Sequence, residues 1–304
     1  MDGATDDHKA GIAKWFLLRS PPGQIQQVAK DVQKILMSDK LYQQAASEAF
    51  PIYNMEQMIC LELPDGSGQV LVSNCGALDS THYLDLRTAQ VATVDHIKQI
   101  CTKIRPATDE ELPSGFVEEY RSAIDSELLK YVEEAFPRGS CAVFCTAGST
   151  AEEDDAPFEL TALISASKIS HQNFSSGSWR STWKIQVNQE LQSVDLTGKV
   201  HVNAHYFEEG NVQLDTNYEG SDSTVLQNPL DVATAVVNII RSKESEYLLS
   251  LEESYSKLSD NTFKELRRKL PVTRTLFAWN NALQLSLSRE VTRELSNLLF
   301  YRSS

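Results

Sequence analysis

The sequence is short of basic residues and has no long apolar run. Its 304 residues include 28 Lys and Arg against 42 Asp and Glu, which gives a formal net charge of -14. Nucleic-acid binding needs a basic footprint, so this composition argues against a nucleic-acid partner while leaving room for a local basic patch. No apolar run approaches about 18 residues, so we expect no membrane-spanning helix. The acidic, polar opening MDGATDDHKAG predicts no secretory signal.

Cysteine is also scarce, and its spacing matches no metal-binding or redox motif. The chain has five cysteines, an odd number for a disulfide framework. We therefore expect reduced thiols and a cytoplasmic location. Cys141 and Cys145 are not a CxxC pair, and we interpret them as buried thiols.

Motifs that carry catalysis or cofactor binding are missing as well. The sequence has no phosphate-binding glycine loop, no GxSxG and no dinucleotide fingerprint, so we expect neither an enzyme nor a cofactor. His201 and His205 offer two metal ligands without a clear third, so satisfied polar residues under a covering helix are the better interpretation. The acidic run 152–155 is typical of a solvated loop. Trp179 and Trp183 are expected in a sheet core.

Residues 1–54 show the helical periodicity of a bundle. Apolar residues of the second helix recur at Ile25, Val28, Val32 and Ile35. A third helix is predicted to end before Pro51, which cannot donate a main-chain hydrogen bond. Short loops between successive amphipathic helices predict an antiparallel helical bundle.

Residues 55–228 are predicted to hold a linker helix and an antiparallel sheet. Residues 58–63 and 69–74 flank a turn at 64–68 and predict a hairpin, and residues 90–97 predict another strand.

A helix is predicted at 116–136, and the alternation of an antiparallel sheet follows it. In the segment WRSTWKIQV (179–187), apolar and polar residues alternate, which predicts one buried and one polar face. The next strand, KVHVNAHYF (199–207), alternates in the same way. The turn Glu209-Gly210-Asn211 then predicts a tight hairpin.

Residues 229–270 are predicted to form a long helix with a basic end. The helical pattern lasts for about thirty residues, or about 45 Å. Such a helix could cross eight to ten strands at about 4.8 Å spacing, whereas the pattern supplies only about six. We therefore expect the sheet to continue into a partner chain.

The C-terminal segment is basic on an acidic chain. From Thr262 onward there are eight basic and three acidic residues. Pro271 separates the basic cluster from a second amphipathic helix, which occupies residues 271–304 of the predicted layout. This helix could simply pack on its own domain, as most amphipathic helices do. Alternatively, it could be an arm that binds an acidic surface with a hydrophobic cleft, or one that lies on an anionic membrane.

Several unusual motifs resemble the alpha subunit of the heterodimeric F-actin capping protein. They are SPPG (20–23), ASEAFPIYN (46–54), WRSTWKI (179–185), HYFEEGNVQL (205–214) and TFKELRRKLPVTRT (262–275) followed by Trp279-Asn280. The resemblance runs in the same order from about residue 10 to 295. Differences lie in the acidic loop 149–157, in VTR (291–293) and in the tail 296–304.

The resemblance implies an α+β subunit without enzymatic activity. An antiparallel helical bundle would form part of a stalk, and the antiparallel β-sheet would continue across an alpha/beta heterodimer. A long helix would cross the sheet, and a C-terminal amphipathic tentacle would follow it. The implied function is calcium-independent capping of the barbed ends of actin filaments, in the cytoplasm and with a beta subunit as obligate partner. Anionic phospholipids and regulators of capping protein are further implied partners.

The resemblance also implies the actin-binding residues. Of the five basic residues in the shared motif, the resemblance assigns three to the actin contact: Lys264, Arg268 and Arg274. The apolar side of the tentacle would contribute Trp279 with Leu276, Leu283 and Leu287. A basic cluster on an acidic body would orient the chain on acidic actin, and the apolar stripe would supply contact area. The alternative function is a peripheral membrane or scaffold protein that binds anionic phospholipids through this basic arm.

Overall fold

The computed structural model describes residues 5–147, 157–170, 172–206 and 212–257. These residues form an α+β protein, as the sequence predicts. The helices are α1 Asp6–Leu18, α2 Ile25–Leu36, α3 Asp39–Glu56, α4 Gly115–Ala135 and α5 Pro229–Lys257, with a short 3-10 helix at Asp109–Glu111. The strands are β1 Cys60–Glu62, β2 Gln69–Leu71, β3 His82–Asp85, β4 Gln90–Asp95, β5 Ile100–Pro106, β6 Ser140–Ala147, β7 Phe158–Ser170, β8 Ser175–Asn188, β9 Ser193–Tyr206 and β10 Val212–Val225.

The first three helices pack as a bundle with its own core. The Thr5 side chain accepts a hydrogen bond from the His8 main-chain N–H and so caps α1, and Ser38 caps α3 through the Leu41 N–H. Met37 ends α2 in the left-handed conformation. The bundle core contains Leu17, Ile25, Ala46, Phe50 and Tyr53.

The prediction that the third helix ends before Pro51 is wrong, because α3 continues through Pro51 to Glu56. Proline inside a helix costs about 3 kcal/mol, since one hydrogen bond is lost and the ring crowds the preceding turn. The last turn of α3 offsets this cost by burial. Tyr53 and Asn54 are both 1% exposed or less. The Tyr53 hydroxyl donates to the Pro21 carbonyl, and the Asn54 amide donates to the His96 carbonyl.

A linking region of short strands follows the bundle. The hairpin β1–β2 forms around the predicted turn at residues 64–68. The three-stranded sheet β3-β4-β5 contains the predicted strand at 90–97 and two neighbours that the sequence pattern did not reveal. Those neighbours, β3 and β5, are short or mostly exposed, so they lack a continuous apolar alternation.

The largest sheet is a five-stranded antiparallel meander in the order β10-β9-β8-β7-β6. Trp183 lies opposite Gly198 on the neighbouring strand, and a Cβ atom at Gly198 would come within 2.2 Å of the Trp183 ring. The absence of a side chain at residue 198 therefore makes room for the indole. Trp179 and Trp183 are buried in the sheet core, as predicted. The predicted turn at 209–211 and most of the acidic loop 149–157 lie outside the described residues.

Helices α4 and α5 cover one face of this sheet and pack against each other. Their apolar residues join the inward-facing residues of β6 to β9 in the main core, which includes Ile124, Leu128, Leu160, Val236 and Ile240. The opposite face of the sheet is polar over β8, β9 and β10, and we call it the bundle-side face because the end of α3 contacts it. No helix in the described ranges has an apolar stretch long enough to cross a bilayer.

Candidate functional site

The predicted actin-binding residues all follow residue 257. Lys264, Arg268, Arg274, Leu276, Trp279, Leu283 and Leu287 therefore lie outside the described residues. The structure does describe α5, the helix that precedes them, and the contacts that fix α5 on the sheet. It also describes the surfaces on which a second chain could bind.

The start of α5 is fixed by a reciprocal cap. The Asn228 side-chain oxygen accepts from the Asp231 main-chain N–H at 3.0 Å, and the Asn228 amide donates to the Asp231 carboxylate at 2.6 Å. Pro229 occupies the first helical position, where its missing N–H costs nothing. The dipeptide Asn228-Pro229 therefore defines where the helix begins, as the sequence predicts.

A buried carboxyl group fixes the middle of α5. Glu244 is 2% exposed and accepts hydrogen bonds from the Tyr131 hydroxyl at 2.9 Å and from Trp183 Nε1 at 3.0 Å. These donors come from α4 and β8, so one side chain joins two helices and the sheet. Burial raises the pKa of Glu244, while the hydrogen bonds it accepts act in the opposite direction.

The sequence interpretation missed Glu244, although a signal was present. Ile240, Glu244, Tyr247 and Leu251 recur at steps of three or four residues, so Glu244 stands within the apolar stripe of α5. An acidic residue at such a position is rarely fully buried unless it has partners. The two hydrogen-bond donors, Tyr131 and Trp183, are distant in sequence and could not be paired with Glu244 from the pattern alone.

Three side chains of α5 attach this helix to β10, the edge strand of the sheet, or to α4. The Tyr247 ring stacks on the Tyr218 ring of β10 at 5.0 Å, and its hydroxyl is 3.1 Å from the Thr216 hydroxyl oxygen. Lys243 forms an ion pair with Asp222 of β10 at 3.2 Å. Arg241 binds Glu134 of α4 at 2.8 Å. Beyond Tyr247, none of the side chains described for residues 248–254 is buried, although Leu248, Leu249 and Leu251 are among them.

The outer edge of β10 is open in the part of the chain that the structure describes. β10 is the last strand of the sheet, and all fourteen of its residues pair with β9 on the inner side. No side chain described for residues 213–225 is buried. A strand edge of this length presents unpaired main-chain N–H and C=O groups, which can pair with another strand.

Helix α1 offers a second surface, made of exposed apolar residues. Ile12, Trp15 and Phe16 are each about half exposed, at 54%, 49% and 51%. The Trp15 and Phe16 rings meet edge to face at 5.1 Å, and the Arg19 guanidinium lies 4.4 Å from the centre of the Trp15 ring. Aromatic side chains exposed together on one helix face are typical of interaction sites.

A polar network occupies the bundle-side face near α3. Arg180 of β8 donates to the Glu56 carbonyl at the end of α3 and to Nδ1 of His201. His201 Nε2 is 2.6 Å from the Asp215 carboxylate. Because Arg180 can only donate, His201 must accept at Nδ1 and carry its proton on Nε2. Burial lowers the pKa of Arg180. Burial acts to raise the pKa of Asp215, but the hydrogen bonds from His201 and Asn203, together with the nearby positive charge of Arg180, lower it overall.

This network borders a cavity of about 380 Å³ that is also lined by Arg19, Pro21 and Pro22. Both ring nitrogens of His201 have partners, which agrees with its interpretation as a satisfied polar residue. The predicted covering helix is wrong, because His201 lies on the face of the sheet opposite α4 and α5. Among the residues that the structure describes, no group of three His, Cys, Asp or Glu side chains could hold a metal ion.

Burial raises the pKa of the Cys60, Cys101 and Cys141 thiols, so these groups are poor nucleophiles.

The fold and its open surfaces define a class of protein: an α+β chain in which a helical bundle joins an antiparallel sheet whose last strand, β10, has an unpaired outer edge among the described residues. A family profile described as F-actin capping protein alpha subunit matches residues 13–290. The chain belongs to the F-actin capping protein alpha subunit family.

Individual relatives agree with this assignment. An F-actin-capping protein subunit alpha from Arabidopsis thaliana is 56% identical over 289 residues, which cover 95% of this chain and 94% of the relative. The Dictyostelium discoideum protein of the same name is 34% identical over 290 residues, which cover 95% of this chain and 100% of that relative. Among solved structures, a homodimeric actin capping protein alpha subunit from Plasmodium berghei superposes with a TM-score of 0.70 at 21% identity, over 88% of this chain and 99% of that one. This last likeness shows the shared fold.

Proposed function

We propose that this chain caps the barbed ends of actin filaments as the alpha subunit of an alpha/beta heterodimer, independently of calcium and in the cytoplasm. The observation that carries the proposal is the family match over residues 13–290, which spans the basic motif TFKELRRKLPVTRT. The names of the relatives supply the activity, since they are described as F-actin-capping protein subunits.

The described surfaces support a two-chain assembly. The outer edge of β10 offers fourteen residues of backbone to a partner strand, and α1 offers Ile12, Trp15 and Phe16 to a partner helix. The end of α5 adds Leu249, which is 62% exposed. Together these surfaces lie on the bundle, the sheet and the long helix, so a partner of similar architecture could cover all three. We assign them to a beta subunit.

In this proposal the basic cluster and the tentacle carry the actin contact. Lys264, Arg268 and Arg274 would orient the subunit on acidic actin. Leu276, Trp279, Leu283 and Leu287 would fill a hydrophobic cleft in the terminal actin subunit. Charge attraction acts mainly on the association rate, whereas apolar contact acts mainly on the dissociation rate. Blocking of subunit addition and loss would follow from occupancy of the filament end.

The experiment is a charge reversal in the assembled heterodimer. The triple variant Lys264→Glu, Arg268→Glu, Arg274→Glu should weaken capping strongly in a pyrene-actin elongation assay, because attraction becomes repulsion at all three positions. A matched control, Lys34→Glu, Lys98→Glu, Lys103→Glu, reverses three exposed lysines of the body and should cap like wild type. Equal capping by the two variants would refute the site assignment.

A second candidate function is binding to anionic phospholipid through the same basic arm. The observation that favours it is the excess of eight basic over three acidic residues from Thr262 onward. Co-sedimentation with phosphatidylserine vesicles, performed beside the elongation assay, separates the two functions. Vesicle binding without any effect on barbed-end growth would leave the membrane function alone.

A further inference from the structure

The outer edge of β10 has only one of the devices that limit strand pairing, which is charge. Natural edge strands are protected by charged side chains, above all lysine, or by proline, bulges or a covering element. β10 contains no lysine, arginine or proline, and it pairs with β9 without a register shift. No described strand pairs with its outer edge. The edge is therefore open to a strand, and its side chains decide which strand fits.

Those side chains carry charge of one sign. β10 has three acidic residues and no basic one: Asp215 and Glu219 on the bundle-side face, and Asp222 on the face that α4 and α5 cover. Their side chains are 64%, 72% and 43% exposed. The partners of these three carboxylates are His201, Lys199 and Lys243, all on β9 or α5. The charged side chains that β10 itself presents to a neighbouring strand are therefore all acidic.

A second copy of this chain would bring these acids together. Suppose that two β10 strands pair antiparallel about a two-fold axis, with α4 and α5 of both copies on the same side of the joint sheet. Odd-numbered residues of one strand would then face odd-numbered residues of the other, and even-numbered residues would face even-numbered ones. Two such registers pair nearly the whole strand. With Glu219 on the axis, Glu219 directly faces its own copy. With Tyr218 on the axis, Glu219 lies diagonal to Asp215 and Glu219 of the second copy. Like charges at directly opposed positions destabilise a strand pair.

We propose that the outer edge of β10 selects its partner by charge: it disfavours a second copy of this chain and fits an edge strand with basic side chains opposite Asp215 and Glu219. The inference rests on the proposed function only in taking the beta subunit as that partner. The open backbone supplies affinity for any strand, and the two carboxylates supply the discrimination.

The test removes the negative charges of Asp215 and Glu219 while keeping the size and shape of the two side chains. The double variant Asp215→Asn, Glu219→Gln is compared with a control, Asp195→Asn, Glu190→Gln, which removes two acids from β9 and the preceding loop. Two differently tagged full-length copies are co-expressed, alone or with an F-actin-capping protein beta chain, and tag-to-tag pairs are quantified by pull-down. Association of each purified variant with the beta chain is then followed at 50 mM and 500 mM salt.

We expect the double variant to self-associate about three- to tenfold more strongly than wild type. It should also bind the beta chain several-fold more slowly at 50 mM salt, with the difference lost at 500 mM. The control should match wild type in both assays. Unchanged self-association, or unchanged association with the beta chain at low salt, would overturn the inference. Failure of wild type to bind any beta chain would instead count against the proposed function, and self-association would still test the charge selection.

Discussion

At the scale of single residues, Glu244 shows how a polar group can hold a core together. It is enclosed by Tyr131, Trp183 and the apolar residues of α5, and its two oxygens accept from donors on different elements. Removing one partner of such a buried group leaves the other unsatisfied, which costs about 1–3 kcal/mol.

Glu244 should make stability depend on pH. Its pKa is higher in the folded chain than the ordinary value of 4.5, so the folded state favours the protonated form. The free energy of unfolding should therefore fall as the pH rises above about 4.5 towards the folded pKa. Glu244→Gln cannot titrate and should flatten this slope, whereas Glu246→Gln, an exposed change on the same helix, should keep it. Denaturant unfolding followed by tryptophan fluorescence measures both, and an unchanged slope for Glu244→Gln would contradict the assignment.

Gly198 supplies a second test at this scale. Gly198→Ala places a Cβ atom 2.2 Å from the buried Trp183 ring, so the indole or the strand must move. We expect a loss of about 1–3 kcal/mol in the free energy of unfolding. Gly11→Ala is the matched control, because nothing lies within 4 Å of its Cβ position in α1, and alanine favours the helix. If both variants unfold at the same denaturant concentration, the Trp183 ring does not lie close enough to residue 198 to exclude a side chain there.

At the scale of elements, regular sequence patterns predicted the helices and strands correctly, whereas irregular sequence patterns did not. The bundle helices, α4, α5 and the strands β6 to β9 follow from periodicity, because each buries apolar side chains at regular spacing. β10 was predicted instead from the hairpin turn before it, since none of the side chains described for residues 213–225 is buried. The end of α3 was misjudged because tertiary burial of Tyr53 and Asn54 outweighs the local effect of Pro51. β3 and β5 were missed because few of their side chains are apolar and buried. The basic and apolar site residues remain predictions, since they follow the last described residue.

The attachment of α5 to β10 should depend on Tyr247. Tyr247→Ala removes a ring that stacks on Tyr218 and a hydroxyl near Thr216, so we expect a loss of about 2–4 kcal/mol in the free energy of unfolding. Hydrogen exchange in the second half of α5 should accelerate as well. Leu249→Ala, two residues later and exposed, should change neither quantity by much. Equal effects of the two substitutions would show that the stack does not anchor the helix.

At the scale of the whole molecule, charge is divided unevenly along the chain. The segment from Thr262 is basic, so the rest is more acidic than the net charge of -14 suggests. This division fits an arm directed at an acidic partner and a body that repels other acidic proteins.

Truncation separates the two interpretations of the C-terminal helix. A chain ending at residue 274 should still form the heterodimer and retain its fold, while its dissociation rate from barbed ends rises, because the apolar contact is lost. Circular dichroism with thermal melting checks the fold, and single-filament microscopy measures the dissociation rate. A truncated heterodimer that fails to fold would place residues 275–304 in the core of the parent domain instead.

The meander has one further consequence, for synthesis. Its strands are adjacent in the order in which they are translated, from β6 to β10, so each can pair with the previous strand as soon as it leaves the ribosome. The newest strand of the nascent sheet always has an open outer edge. Only when β10 has emerged does this edge reach its final form, and α5 follows at once to cover one face. Vectorial growth thus completes the outer edge of β10 after the rest of the sheet.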